Sequence, residues 1–325
     1  MTRLTRRSLL VASAGALAAP AIGQGAWPSR PIRLVVPFAA GGSTDVLARL
    51  LADEVSRALG QQIIVDNRAG AGSTIGTGVV AAAAPDGYTL LVSVVSAFSV
   101  GTTLYKGRID WHPDRSFAHV GMILRTPYAM IAAAASPVRD LATLAAEARR
   151  TNGGLSVGTS GVGSMPHLAA IRYARAAGIE LTHVPYRGGA QAVQDAVAGN
   201  IPLAFDGLAG TTTFLRNGTA RGVAVTSPAR LPDFPDMGTF AEQGFPDLTI
   251  DGWAGIAAPA GTPRPIVERL AVALRDAMRV PSIVERYRGI ASDMGELFLD
   301  DMQRFVAREA EIWAPVVEAS GAQPA

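Results

Sequence analysis

Two stretches of this sequence repeat one physical arrangement: an apolar run stops at a loop of glycine and hydroxyl residues and passes at once into a helix. They are LVVPFAAGGSTDVLARLL from Leu34 and LSVGTSGVGSMPHLAAIR from Leu155. A strand that feeds a helix through so short a turn belongs to βαβ layering, where the next strand returns parallel and ligands gather at the carboxyl ends of the strands. The rest of the chain keeps that alternation. Ile32 to Val36 reads as a strand. Asp45 to Leu59 reads as a helix with Val46, Leu47, Leu50, Leu51, Val55, Ala58 and Leu59 on its apolar face and Gly60 as its stop. Ile63 to Val65 and Tyr88 to Val92 read as strands around a small-residue helix opened by Gly70 to Gly78.

A second unit begins near Tyr128. Strands are expected at Tyr128 to Ala133, Leu155 to Val157, Leu181 to Val184, Leu203 to Phe205 and Val223 to Val225, with helices at Leu141 to Arg149 and Ser164 to Ala177. Beyond Pro246 come a strand, Ile250 to Ala258, and helical patterns at Ile266 to Met278 and Leu297 to Ala319. These late elements have no lobe of their own, so the chain is expected to cross back onto the first unit. With 325 residues the chain exceeds what one core usually accommodates. The expectation is an α/β protein of two lobes, residues 27–126 plus 250–325 and residues 127–249. Each lobe is a mainly parallel sheet flanked by helices, with two crossover connections and a ligand cleft between the lobes.

Residues 1–26 read as a signal peptide, with a cationic start, an apolar run from Leu9 to about Ala19 and then small residues. Thr5-Arg6-Arg7-Ser8-Leu9-Leu10 resembles a twin-arginine export motif, and Ala19-Pro20-Ala21 fits a cleavage site. The formal charge is +2, from 29 Lys+Arg against 27 Asp+Glu. Losing Arg3, Arg6 and Arg7 with the leader makes the mature chain nearly neutral. No basic stripe interleaved with aromatics remains, which argues against nucleic acid as a partner. The chain has no cysteine, so thiol catalysis, thiolate zinc, iron–sulfur clusters, disulfides and a lipidated N-terminal cysteine are all excluded. A soluble periplasmic product is expected. Lys106 is the only lysine and sits in no phosphate-binding or Schiff-base motif. His112, His119, His167 and His183 show no HxxxH or HExxH spacing, and GxSxG and GxxxxGK[ST] are absent. No metal and no cofactor is expected.

The strongest local signal is PFAAGGSTD, Pro37 to Asp45. Its glycines admit close backbone approach, Ser43 or Thr44 can cap, and the positive end of the following helix favours an anion. A plain tight turn with an N-cap would look the same. Asp45 would repel an anion at close range unless it accepts hydrogen bonds from loop amides or waters. Ser160 and Ser164 offer donors in the second loop, or simply cap a helix, and His167 reads as either a ligand or a core residue. Arg187 could clamp a carboxylate or lie solvated on the surface. Asp206, at the end of a strand, reads as a cleft residue or an N-cap.

Taken together, WPSRPIRLVVPFAAGGSTDVLARLL at Trp27, NRAGAGSTIG at Asn67, APDGYTLL at Ala84, TSGVGSMPHLA at Thr159, HVPYRGGAQAVQD at His183, RGVAVTSPARLPDFPD at Arg221 and APAGTP at Ala258 resemble the extracytoplasmic solute receptors of the tripartite tricarboxylate transporter system, the Bordetella uptake gene proteins. The resemblance covers the mature chain. It implies a monomeric Venus-flytrap receptor, not an enzyme, that captures a small carboxylate and delivers it to two integral-membrane transporter subunits. Carried over by motif, the ligand residues are Phe38, Ala39, Gly42, Ser43, Thr44 and Asp45 in the first lobe, with Ser93 and Ser96 after the GYTLL strand. From the second lobe they are Ser160, Ser164, His167, Arg187, Gly188 and Asp206. Two other readings stand beside it: a secreted hydrolase using Ser160 or Ser164 with His167, and a sensor that presents its ligand to a membrane kinase.

Overall fold

The computed structural model describes residues 27–323, so the proposed signal peptide lies outside the described residues. The strands are β1 (Ile32–Val36), β2 (Ile63–Asn67), β3 (Thr89–Val94), β4 (Phe117–Ala133), β5 (Leu155–Thr159), β6 (Leu181–Pro185), β7 (Leu203–Gly207), β8 (Ala220–Val225) and β9 (Asp251–Pro259). The helices are α1 (Ser43–Leu59), α2 (Thr74–Ala81), α3 (Leu141–Arg150), α4 (Met165–Ala177), α5 (Gly189–Val197), α6 (Leu208–Arg216), α7 (Arg264–Met278), α8 (Pro281–Gly289) and α9 (Asp300–Ser320). The strands lie in the order β2-β1-β3-β9-β4-β7-β5-β6, with β8 also paired to β4.

Parallel pairing holds at both flanks, where β1 sits between β2 and β3 and β5 sits between β6 and β7. The centre is antiparallel, because β9 runs against both β3 and β4, and β4 runs against β7 and β8. The sheet is therefore mixed rather than mainly parallel. The reason is topological: β4 carries the chain out of the first half-sheet and β9 brings it back alongside in the opposite direction.

β4 runs for 17 residues, about three times an ordinary strand. Up to Pro127 it pairs with β9; from Tyr128 it pairs with β7, and from Ala129 with β8. The stretch before Tyr128 does not read as a strand in the sequence because Gly121, Arg125 and Pro127 interrupt its apolar pattern. All three are nevertheless paired with β9, and bulges at Val120, between His119 and Gly121, and at Ile123, between Met122 and Leu124, shift the register without ending the pairing.

Local sequence accounts for the flanks. β1 is buried along almost its whole length, as a strand covered by helices on both faces must be. Leu47, Leu51, Val55 and Leu59 of α1 are buried, as are Val267, Leu270 and Leu274 of α7, and α1 and α7 pack on each other. α1 ends on Gly60 in the left-handed region, φ 71°. α9 packs along β4 and on the helical turn Ser96–Gly101. At its far end it reaches α4, where Arg175 donates to the carbonyl of Ala319. α8, which the sequence pattern does not reveal, is an arginine-rich amphipathic segment with Pro281 at its first position.

The two crossing segments are tied together at one residue. Thr226 is fully buried, and its hydroxyl donates to the carbonyl of Ile250 at 2.5 Å and accepts the amide of Tyr128 at 2.8 Å. Its backbone N–H donates to Tyr128 O, and its carbonyl accepts from Ile250 N–H. Arg125 and Asp251 pair at 2.8 Å on the same crossing.

Candidate functional site

A cavity of about 100 Å³ opens between the two half-sheets. One wall is the loop after β1, with Phe38, Ala39, Ala40, Gly42 and Thr44. The opposite wall carries Ser160 and the starts of α5 and α6, and the floor is made by Ser96, Thr126, Tyr128 and Trp253. Three helices begin in this cavity. The N-cap residues of α1, α5 and α6 are Gly42, Gly188 and Gly207; all three line it, and none has a side chain that could satisfy the first amides. By contrast, α3 and α4 are closed by the side chains of Asp140 and Ser164. The cavity lining contains no Arg, Lys or His, and its acids are Asp206 and the phenol of Tyr128. Uncapped amides at helix starts are therefore its principal positive feature.

Asp45 lies outside the cavity lining, and its carboxylate is turned back onto its own loop. It accepts from Gly41 N–H at 2.9 Å, Asn67 Nδ2 at 2.9 Å and Arg49 Nε at 3.1 Å. Burial alone would raise its pKa, but the hydrogen bonds from Arg49, Gly41 and Asn67 hold it below the ordinary carboxylate value. Asn67 also donates to the carbonyl of Phe38 at 3.0 Å. Asp45, Arg49 and Asn67 thus fix the loop from behind, leaving its front to the cavity.

Of the other residues expected from the sequence, the structure brings Phe38, Ala39, Gly42, Thr44, Ser96, Ser160, Gly188 and Asp206 to the cavity. Ser43 opens α1 beside them. Ser93 is fully buried on β3 facing Gly255, with no hydrogen-bond partner for its hydroxyl. Ser164 accepts from the amide of His167 and donates to Thr159, both at 3.4 Å. His167 lines a different hollow and stacks on His183, with ring centroids 3.8 Å apart. The Arg187 side chain is exposed, while its carbonyl accepts from Ala39 N–H at 3.4 Å and joins the two walls.

A hydrolase needs its base on its nucleophile. Here His167 Nδ1 accepts the amide of Gly163 instead, and burial lowers its pKa to about 4. Among the described residues no cluster of His, Asp and Glu is placed to hold a metal ion, and no helix is long and apolar enough to cross a membrane.

Leu124, Thr126, Tyr128, Gln191 and Trp253 also line the cavity, and no sequence signal singles them out. Tyr128 and Trp253 read only as apolar strand residues. Burial raises the Tyr128 phenol well above its ordinary value, and Asp206, Asp251 and Glu309 add to the shift. Trp253 Nε1 donates to Glu309 at 3.3 Å, which ties the cavity floor to α9.

A mixed sheet bridged by two crossing strands, with a cavity between its halves, defines a two-lobed solute-binding protein of the periplasmic-binding-protein class. Residues 47–322 match the sequence profile described as tripartite tricarboxylate transporter family receptor, and the chain belongs to that family. It is 33% identical to the protein BugT of Bordetella pertussis over 325 residues, 99% of each chain. Among solved structures, Rpa4515 of R. palustris with adipate has a TM-score of 0.86 at 33% identity, covering 92% of this chain and 100% of that one. MatC from Rhodopseudomonas palustris with bound malate has a TM-score of 0.83 at 30% identity, covering 90% and 100%. The family and these neighbours are binding proteins rather than enzymes.

Proposed function

We propose that this protein is an exported periplasmic receptor that captures a small carboxylate in the interlobe cavity and delivers it, as a monomer, to two integral-membrane transporter subunits. The observation that carries this reading is the meeting of three glycine-capped helix starts in one cavity without a basic side chain. Such a cavity stabilises an anion small enough to touch amide groups, and it offers nothing to a neutral sugar in preference. The neighbours solved with adipate and malate support the same class of ligand.

In this reading Phe38, Ala39, Gly42, Ser43 and Thr44 receive the carboxylate. Asp45 holds that loop in shape, and Ser96, Ser160, Gly188 and Asp206 meet the rest of the ligand. Ser93, Ser164, His167 and Arg187 act from behind as supports. The lobes divide at residues 126/127 and 249/250, next to the point where β4 changes partners and just before β9, and they close about the Thr226 crossing. Removal of residues 1–26 on export is part of the proposal. A thermal-shift panel of di- and tricarboxylates, acidic amino acids and aromatic acids is expected to yield at least one ligand that raises Tm with concentration. A flat response to every acid, or a rise with a neutral sugar instead, would refute it.

A further inference from the structure

Of the three helix starts in the cavity, two have one and the same carboxyl group, that of Asp206, beside them. A Cβ placed on Gly189, the first residue of α5, would lie 2.0 Å from the Asp206 carboxyl carbon, and one on Gly210 of α6 would lie 2.8 Å from Asp206 Oδ2. Glycine at both positions lets the Asp206 carboxyl group lie directly on the first turns of α5 and α6, and the amide of Gly207 donates to it. The start of α1, on the opposite wall, has no such carboxyl group at its front, since Asp45 faces away. The two walls are therefore chemically unlike. One offers amides to a carboxylate. The other offers a carboxyl group that is 9% exposed, lines the cavity and has no cationic side chain paired with it among the described residues.

A buried carboxyl group with no cationic partner is costly to ionise and favours a ligand that brings a donor to it. A second ligand carboxylate on that wall would place two acids face to face. Resting on the carboxylate-receptor reading above, we propose that Asp206 determines specificity: it selects small carboxylic acids that carry an ammonium or hydroxyl donor on the part of the molecule remote from α1, and disfavours the same acids without it. The acid group docks at α1, and the donor group hydrogen-bonds to Asp206 Oδ. Tyr128, the other ionisable group in the cavity, keeps its proton and supplies a further neutral contact.

The test is calorimetric titration of the mature chain at pH 8 with matched pairs: L-aspartate and L-malate each against succinate, and L-glutamate against glutarate. In the wild type the donor-bearing member of at least one pair is expected to bind about tenfold tighter or more, the range of one charge-assisted hydrogen bond. In Asp206→Asn that preference should shrink to within about threefold. The wild-type ratios need no variant, so they stand even if Asp206→Asn does not fold. Bare diacids binding as well as or better than their substituted partners in the wild type would overturn the proposal, as would an unchanged preference in a folded Asp206→Asn. Should the substituted and bare acids of this panel all fail while some other carboxylate binds, the selector role is refuted and the receptor reading survives. If no carboxylate binds at all, both fall.

Discussion

Asp206 sits in the folded protein with its pKa raised from 3.8 to about 7, chiefly because burial penalises the charged form, with the Gly207 amide opposing the shift. The folded chain thus binds this proton more tightly than the unfolded chain does. Measured against a neutral group in its place, the Asp206 carboxyl costs nothing below about pH 4, destabilises the fold increasingly as pH rises from 4 to 7, and above pH 7 remains a constant penalty. Asp206→Asn removes the titration. In ligand-free thermal melts that variant is expected to be more stable than the wild type at pH 8, by on the order of 4 kcal/mol at most, and level with it near pH 4. Equal melting points at pH 8 would show that the carboxyl finds compensation elsewhere. Asp45 presents the opposite case, a carboxylate satisfied by its own loop. Asp45→Ala strips the partner from the Gly41 amide and frees Asn67 and Arg49, and is expected to cost about 1–3 kcal/mol of stability. Ligand affinity should also fall, about tenfold or beyond, because the loop amides lose their alignment; affinity unchanged by the substitution would show that the loop needs no bracing. The sequence shows that Asp45 and an anion cannot share one face of the loop. It does not show that Arg49 and Asn67, four and 22 positions away, are what turn the carboxylate around.

The stack of His167 on His183 joins α4 to β6, the outermost strand of its half-sheet. Burial lowers both imidazoles below their ordinary 6.5, to about 4 and about 3, and the neighbouring His167 lowers His183 further. Thr159 Oγ1 lies 2.7 Å from His183 Nε2 and fixes the second ring. His119, enclosed on β4 against Phe98, is likewise lowered to about 4 by burial. Groups whose folded pKa is depressed stabilise the native state above pH 6.5 and withdraw that support as pH falls through about 4. The wild type is therefore expected to lose melting temperature steadily between pH 6.5 and 4. His183→Gln, which keeps a polar group for Thr159, should flatten part of that slope; a profile as steep as the wild type's would assign the acid sensitivity to other groups. At this scale the sequence is legible where one period governs an element. β1, α1, α4 and α7 follow from apolar spacing, a glycine stop or a proline start. The first half of β4 is hidden because bulges, not an alternating pattern, keep it paired. The antiparallel centre of the sheet is hidden for a related reason: strand direction is set by how the chain crosses between lobes, which no local window contains.

For the molecule as a whole, the closeness of the two walls is the feature most open to direct manipulation. Ala39 N–H reaches the carbonyl of Arg187, and a Cβ built on Gly188 would lie 3.6 Å from the Ala39 Cβ. That separation is within the range a disulfide requires, about 3.5–4.5 Å between Cβ atoms. Gly188 has φ 171°, extended backbone that any residue adopts, so cysteine there meets no conformational obstacle. The chain contains no cysteine of its own, so the double variant Ala39→Cys, Gly188→Cys has a single pair to form. If ligand entry and exit require the walls to part, oxidising this variant in the presence of a bound carboxylate should slow release by orders of magnitude, and a reductant should restore it. Oxidised without ligand, the same protein should resist binding until reduced. Small-angle scattering supplies the structural counterpart: the reduced, ligand-free protein should show the larger radius of gyration and the oxidised protein the smaller. Because both cysteines lie on the cavity wall, each single variant, which cannot form the bridge, controls for lost contacts. Equal release rates in the oxidised and reduced double variant would mean that the solute passes without lobe motion, and the crossing at Thr226 would then be a static joint rather than a hinge.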